Sequence, residues 1–427
     1  MANVIVIGAG AMGLAAAHRA LALGHKVTVL EAAAEAGGMA AHFKLGDLSI
    51  ERFYHFICKD DHPTFALLAE LGLVQELRWR TTSMGYFVEG GLHPWGTPLA
   101  LLRFPHLRLI EKLRYGLLMF ISAKRRSWRS LEFITAAEWI TRWCGRNVYN
   151  KLWRPLFDLK FHEYSGNISA AWIWTRIRRL GRSRRSLLQE ELGYIEGGTE
   201  TLVDALVSAI EQKGGTIRLG EEAFRIRIAA SRVTGVETPS RFLSADAVIS
   251  TVPTPYVSRM VPDLSPASRA AYDGIANIGV VCVVLRLKRS VTPHFWVNIA
   301  DPDIPIPGII EFSNLRPASG GEAVVYVPYY MPVTNPLWAR DDESFLSEAM
   351  ACLSRIAPAI TADDLIASHV GRLRYAQPVC PPGFAARLPA VETEIAGLQI
   401  ADTCFYYPED RGIAESIRLG RAMADAV

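Results

Sequence analysis

Val4-Ile5-Val6-Ile7-Gly8-Ala9-Gly10-Ala11-Met12-Gly13 opens the chain, and after a run of small residues comes Val27-Thr28-Val29-Leu30-Glu31. The pattern reads as a strand, a G-x-G-x-x-G turn, a helix and a second parallel strand closed by an acid. The three glycines do different things. Gly8 takes the tight turn, Gly10 lets backbone approach a pyrophosphate, and Gly13 lets helix and strand pack closely. Ala11 and Met12 lie at the helix start, whose positive end faces the phosphates. Glu31 stands 23 residues after Gly8, where a carboxylate accepts hydrogen bonds from ribose hydroxyls and repels a 2′-phosphate. The stretch predicts a Rossmann-like α/β unit for an ADP-containing cofactor and disfavours NADP. Glycines that merely punctuate a turn would not stand in register with a strand, a helix and an acid.

Six residues after Glu31 come Gly37 and Gly38, followed by Met39. The run V-x-V-L-E-x-x-x-x-x-G-G-M resembles the extended nucleotide-binding signature of the flavin amine oxidase, protoporphyrinogen oxidase and phytoene desaturase superfamily. That resemblance implies FAD, with the Gly pair bringing a second loop onto its pyrophosphate. The family usually has Arg or Lys after the pair, so Met39 removes one charged contact. Two later segments repeat the likeness. Tyr194-Ile195-Glu196-Gly197-Gly198 leads into a helix over Thr199 to Lys213, then strand-like Thr216 to Leu219, Ala223 to Ile228 and Val233 to Glu237, then Ala245 to Pro253. This is similar to the family's middle block and implies that Ala223 and Phe224 pass the adenine. Near the C-terminus, Gly397 to Asp402 and Gly412-Ile413-Ala414-Glu415-Ser416-Ile417 match the family's last block. There the resemblance places Asp402 against the ribitol or pyrophosphate. It also turns a helix N-terminus, with Ala414, Glu415 and Ser416, toward the isoalloxazine, where a helix dipole stabilises negative charge on a reduced flavin.

At 427 residues, half of them apolar, the chain exceeds what one core holds, and two domains are expected. The resemblance assigns 1–80, 190–275 and 386–427 to a discontinuous FAD-binding domain. It leaves a helical insertion at 81–189 and a mostly β section at 276–385 for a substrate domain. Within these, Thr135-Ala136-Ala137-Glu138 is a capping-box signal, and Ile278 to Leu287, Phe295 to Ile299, Gly308 to Phe312 and Ala323 to Pro328 read as strands. No leader-like basic and apolar segment opens the chain, and no apolar run approaches the roughly 18 residues of a membrane span. Six scattered cysteines without a C-x-x-C pair read as reduced thiols and suggest no metal site. A cytoplasmic protein is expected.

Positive charge is localised. Residues 103–129 hold eight Lys or Arg against one acid, and 176–185 hold six Arg against none, in a chain whose net charge is only +3. The first stretch is interleaved with Phe104, Leu109, Ile110, Leu113, Leu117, Phe120 and Trp128. Both stretches are therefore candidates for peripheral contact with an anionic membrane, at its inner face. The alternative is buried helices with one solvated basic face. No nucleic-acid reading module appears, so nucleic acid is not expected as a partner.

A flavin accepts hydride at N5, so the protein has chiefly to position a C–H bond and exclude water. Tyr54 and His55, in Glu51-Arg52-Phe53-Tyr54-His55, fall where related enzymes lay a loop over the flavin. Tyr375, in Arg374-Tyr375-Ala376-Gln377-Pro378, resembles a family segment on the flavin's substrate face. Lys160-Phe161-His162-Glu163 and the aromatic run at 172–176 form a second candidate wall. Cys380 lacks the pattern of a covalent flavin link, so FAD is expected to be noncovalent. The leading expectation is an FAD-dependent oxidoreductase (oxidase, dehydrogenase or desaturase) acting on an apolar, isoprenoid or lipid-linked small molecule. Alternatives are an amine oxidase, a non-redox mutase or isomerase, and a non-catalytic FAD-binding platform.

Overall fold

A computed structural model describes residues 1–186 and 188–427. The opening stretch forms the centre of a five-stranded, all-parallel sheet. Its order is Thr216–Arg218, Lys26–Leu30, Asn3–Ile7, Ala247–Ser250 and Leu398–Ile400. Both faces of this sheet are covered, as its near-continuous apolar strands require. Val4, Val6, Val27 and Val29 pack against helices Ala11–Ala22, Thr199–Gln212 and Ile413–Asp425. Ile5, Ile7, Leu30 and Val248 pack on the other face, against a three-stranded antiparallel sheet of Arg225–Ala229, Arg232–Glu237 and Phe242–Ser244. Three stretches remote in sequence thus close one α/β layer.

The second layer is a seven-stranded sheet in the order Leu365–Pro378, Asn277–Leu287, Ala323–Met331, Gly308–Glu311, Trp296–Ile299, Met84–Val88 and Gly91–Trp95. Period-two alternation divides its faces. Val281, Val283, Leu285, Val325 and Val327 are covered by the Asp342–Ile356 helix through Phe345, Ala349 and Leu353. Val280, Cys282, Val284, Tyr326 and Tyr330 face the helical insertion and the flavin side.

The insertion is not wholly helical. It begins with a hairpin, Met84–Val88 and Gly91–Trp95, whose first strand runs parallel to Trp296–Ile299 and extends the sheet. The turn is Glu89-Gly90, both at positive φ (51° and 73°), a two-residue hairpin signal that the surrounding helical pattern obscures. The capping box at Thr135 forms as expected, with Thr135 and Glu138 exchanging side-chain to backbone hydrogen bonds at the start of Ala136–Cys144. Among the described residues no helix is long and apolar enough to cross a membrane.

Candidate flavin and substrate site

The cradle at the strand ends is built from backbone. Gly8 sits at φ 100° and donates its N–H to the Leu30 carbonyl at 2.8 Å. A Cβ on Gly13 would lie 1.9 Å from the Gly8 oxygen, so no larger residue fits there. A Cβ on Gly10, in contrast, would meet no atom within 4 Å: Gly10 borders open space at the N-cap of the Ala11–Ala22 helix. The Gly37 N–H donates to the Ala9 carbonyl at 2.8 Å, and a Cβ on Gly38 would stand 3.2 Å from the Gly10 Cα. The second glycine loop therefore closes on the first, with Met39 in the turn after it. An open, Cβ-free space at a helix N-terminus fits the pyrophosphate of FAD.

The carboxylates do more than the motif implies. Glu31 accepts from the Ala9 N–H at 2.7 Å and the Ala33 N–H at 2.9 Å, so it fixes the glycine turn while lone pairs remain for a ribose. Glu221 donates its N–H to the Glu31 carbonyl at 2.9 Å. This brings the 220–224 segment beside Glu31, with Ala223 buried and the Phe224 side chain exposed. Asp402 is buried, and its oxygens accept from Thr254 N–H at 2.7 Å and Cys404 N–H at 2.8 Å. It acts first as a clamp between two loops, and its expected contact with ribitol or pyrophosphate is secondary to that. In the first turn of Ile413–Asp425, Ala414 is buried, Glu415 pairs with Arg418 at 2.7 Å, and Ser416 bonds the Gly412 carbonyl and the Tyr406 hydroxyl.

Between the two layers, the segments flanking the expected flavin ring meet in an aromatic, charged interior. Tyr54 stands edge-on to Trp296 and Tyr326, at 5.4 and 5.7 Å between ring centres, and hydrogen-bonds Tyr330. His55 is held neutral: burial, reinforced by nearby Arg411 and Arg179, lowers its pKa to about 4, and its Nδ1 is buried without a hydrogen-bond partner. Lys160 Nζ lies 4.9 Å from the ring centre of Tyr330, 5.2 Å from Trp172 and 5.5 Å from Phe161. Arg176 stacks on Trp172 at 4.9 Å and pairs with Asp410; Arg411 bonds the Ala376 carbonyl and Tyr330. Burial alone would raise the Asp410 carboxyl, but Arg176, Lys160 and Arg411 hold it down at about 2. Asp410 and Arg411 keep 16% and 20% of their side-chain surface accessible.

Tyr375 is not part of this group. It packs edge-on against Tyr256 at 5.2 Å, and only its neighbour Ala376 reaches Arg411, through the carbonyl. Cys380 is buried, and burial pushes its thiol well above the ordinary range. Asp410, Arg411 and Tyr330 carry no motif of their own. The one signal for the first two is a charged pair immediately before the helix-capping Gly412.

The two basic stretches separate. Arg176, Arg178, Arg179 and Arg182 pair with Asp410, Glu409, Asp61 and Asp60. In the 176–185 stretch, four of the six arginines are thus paired with acids from two distant loops, which leaves less free charge for a lipid-facing patch than the sequence count suggests. The Leu109–Lys124 helix behaves differently. It buries Tyr115, Leu118 and Ser122 but leaves Leu109, Ile110, Leu113, Leu117 and Phe120 each 50 to 65% exposed, with Leu99 and Leu102 of the Pro98–Arg103 helix exposed beside them. Arg103, Arg108, Arg114, Lys124, Arg126 and Arg129, on and next to these two helices in sequence, are exposed as well. Trp128 turns inward, edge-on to Tyr407 at 5.8 Å.

A glycine cradle at the ends of a parallel sheet, with an aromatic and charged interior between the two layers, suits a flavoprotein of the oxidoreductase type. Residues 13–396 match the model of the flavin-containing amine oxidoreductase family, and the chain belongs to that family, with FAD as its cofactor. It is 23% identical over 283 residues to hydroxysqualene dehydroxylase of Sinorhizobium fredii, covering 61% of this chain and 64% of that protein. It is 24% identical over 297 residues to zeta-carotene desaturase of Synechocystis, covering 61% and 59%. The chain thus matches about three fifths of the length of these curated relatives. Its fold superposes on cyclohexylamine oxidase of Brevibacterium oxydans with a TM-score of 0.75 at 17% identity, over 100% of this chain and 98% of that one.

Proposed function

We propose that the protein is a noncovalent FAD-dependent oxidoreductase that removes hydride from an apolar, isoprenoid or lipid-linked molecule taken from an anionic membrane surface. We place the FAD-binding unit at 1–80, 190–275 and 386–427, and the protein at the cytoplasmic face of a membrane. The observation that carries this reading is the uncovered apolar face of the Leu109–Lys124 helix with the exposed basic residues on and next to it in sequence. Contiguous exposed leucines are uncommon on a soluble monomer, and neighbouring cations suit anionic headgroups. The names of the two curated relatives point the same way, since squalene and carotene are apolar isoprenoids.

FAD supplies the hydride acceptor. The chain's residues bind, orient and exclude water. Gly8, Gly10, Gly37 and Gly38 admit the pyrophosphate, and Glu31 holds the ribose. Tyr54, Tyr330, Phe161 and Trp172 wall the chamber with ring surface that favours an apolar substrate over water. Tyr54 and neutral His55 bring no charge that would draw solvent in.

The test is anaerobic mixing of the yellow holoprotein with anionic vesicles carrying isoprenoid-chain lipids. Flavin bleaching by a vesicle-borne lipid, and none by soluble alkylamines, is the expected result. Bleaching by free amines without vesicles would replace this reading with an amine oxidase.

A further inference from the structure

We propose that Lys160, Arg176 and Arg411 form a subsite for an anionic oxygen group, a carboxylate or a phosphate ester, at one end of the apolar substrate. The inference rests on reading the accessible side of Asp410 and Arg411 as the substrate side of the flavin site. Two guanidinium groups, the Lys160 amine and one carboxylate meet there; burial, reinforced by Arg176 and Arg411, lowers the Lys160 pKa well below the ordinary lysine range. Asp410 pairs through one oxygen with Arg176 and through the other, at 4.0 Å, with Arg411. At that distance neither Arg411 Nε nor Asp410 Oδ1 completes a hydrogen bond, so the pair is an ion pair only. Among the described residues, Lys160 Nζ has neither a hydrogen bond nor an ion pair and faces only the rings of Tyr330, Trp172 and Phe161.

Buried charge is tolerated when it is paired, and here two arginines share the one carboxylate while the Lys160 amine has none. The ring faces attract an ammonium but offer it no acceptor, so the cluster is incomplete without an anion. An oxidised flavin ring is neutral and does not supply one. A protonated amine would add further positive charge to the same enclosed space, which sets this chamber against amine substrates. A carboxylate or phosphate oxygen would take charge-assisted hydrogen bonds from Lys160 and Arg411 while its chain lies along the aromatic wall.

The holoprotein is titrated with oleic acid, oleyl phosphate, oleyl alcohol and oleylamine, and binding is read from perturbation of the flavin absorbance. One or both acids should bind about ten- to a hundredfold more tightly than the alcohol, with the amine weakest, the range for a desolvated charge-assisted bond. The stronger of the two acids identifies carboxylate or phosphate as the group. Lys160→Met should reduce the acid's advantage to near the level of the alcohol, and Lys160→Arg should keep it, both with unchanged FAD content and melting temperature. Equal binding of acid, alcohol and amine to the wild type overturns the subsite alone. So does a Lys160→Met variant whose flavin midpoint potential falls while its preference for acids persists, because the cluster would then serve the cofactor. If none of the four ligands perturbs the flavin of a fully loaded protein, the lipid-substrate reading itself fails, and the subsite with it.

Discussion

Replacing Leu113 and Leu117 together by Gln isolates the apolar part of membrane binding from the electrostatic part. The two side chains lie one turn apart on the Leu109–Lys124 helix and are 56% and 50% exposed. Complete burial of a leucine is worth about 1.5–3 kcal/mol, so burying the exposed half in a lipid interface is worth about 1 kcal/mol. The pair therefore contributes about 2 kcal/mol, or a roughly thirtyfold change in partitioning. Folding stability should move by no more than about 0.5 kcal/mol, because neither residue belongs to the core. Cosedimentation with phosphatidylserine-containing vesicles reads the partition coefficient, and a flavin spectrum checks that the site is intact. The basic residues are untouched, so the residual binding should still weaken as salt rises. A Phe120→Trp reporter, on the same face, should be quenched by lipid-borne quenchers. If the double variant partitions like the wild type, or the reporter stays unquenched on bound vesicles, the stripe does not enter lipid and the membrane reading is wrong.

The glycine cradle makes a contrast that one pair of variants tests: Gly10→Val should fold with a melting point near that of the wild-type apoprotein but purify colourless. Gly13→Val, whose Cβ would start 1.9 Å from the Gly8 oxygen, should lose about 3 kcal/mol or fail to fold; a yellow Gly10→Val protein would refute the assignment. Glu31→Ala removes an acceptor for two backbone N–H groups as well as for the ribose, and FAD affinity measured by equilibrium dialysis should fall by about 1–3 kcal/mol. Unchanged affinity would reduce Glu31 to a loop staple. His42 accepts the Glu200 N–H at 3.3 Å, and burial lowers its pKa from 6.5 to about 4. The unfolded chain therefore binds a proton that the folded one refuses between those values, and stability falls as pH drops through that window. The slope is about 1.4 kcal/mol per pH unit. Denaturation of His42→Gln at pH 7 and pH 5 should show about 2 kcal/mol less loss than the wild type, and an equal loss would place the acid sensitivity elsewhere.

What is legible from sequence divides along the kind of atom that carries the function. The cofactor cradle is made of backbone, and backbone geometry is written locally: Gly8, Gly13 and Gly37 stand where a Cβ would collide, and spacing alone reveals them. The strands at 277–287 and 323–331 are readable for the same reason, since an unbroken apolar and β-branched run leaves a local trace. The Met84–Trp95 hairpin escapes notice because its Glu89-Gly90 turn lacks the usual Asn or Asp, and only the pairing with Trp296–Ile299 shows it to be sheet. Motif likeness puts Tyr375 beside the flavin, and its ring contact with Tyr256 is one that no motif announces.

The interior cluster and the basic stretches share a single physical cause for their illegibility. Charge in a sequence can be counted, but its compensation cannot, because partners arrive from other parts of the chain. The arginines of the Ala170–Arg182 helix look as basic as those near 103–129, yet Asp60, Asp61, Glu409 and Asp410 fold onto them. The Leu109–Lys124 helix keeps both its leucines and cations outward along its exposed face. Lys160 represents the inverse case: it comes to lie near Arg411, some 250 residues away in sequence, where Asp410 is already shared by two arginines. The molecule thus leaves basic groups unmatched in two places, beside an uncovered apolar stripe and at the end of an aromatic chamber. Both are suited to one kind of ligand, an apolar chain ending in an anion, which would meet the first at the membrane surface and the second beside the flavin.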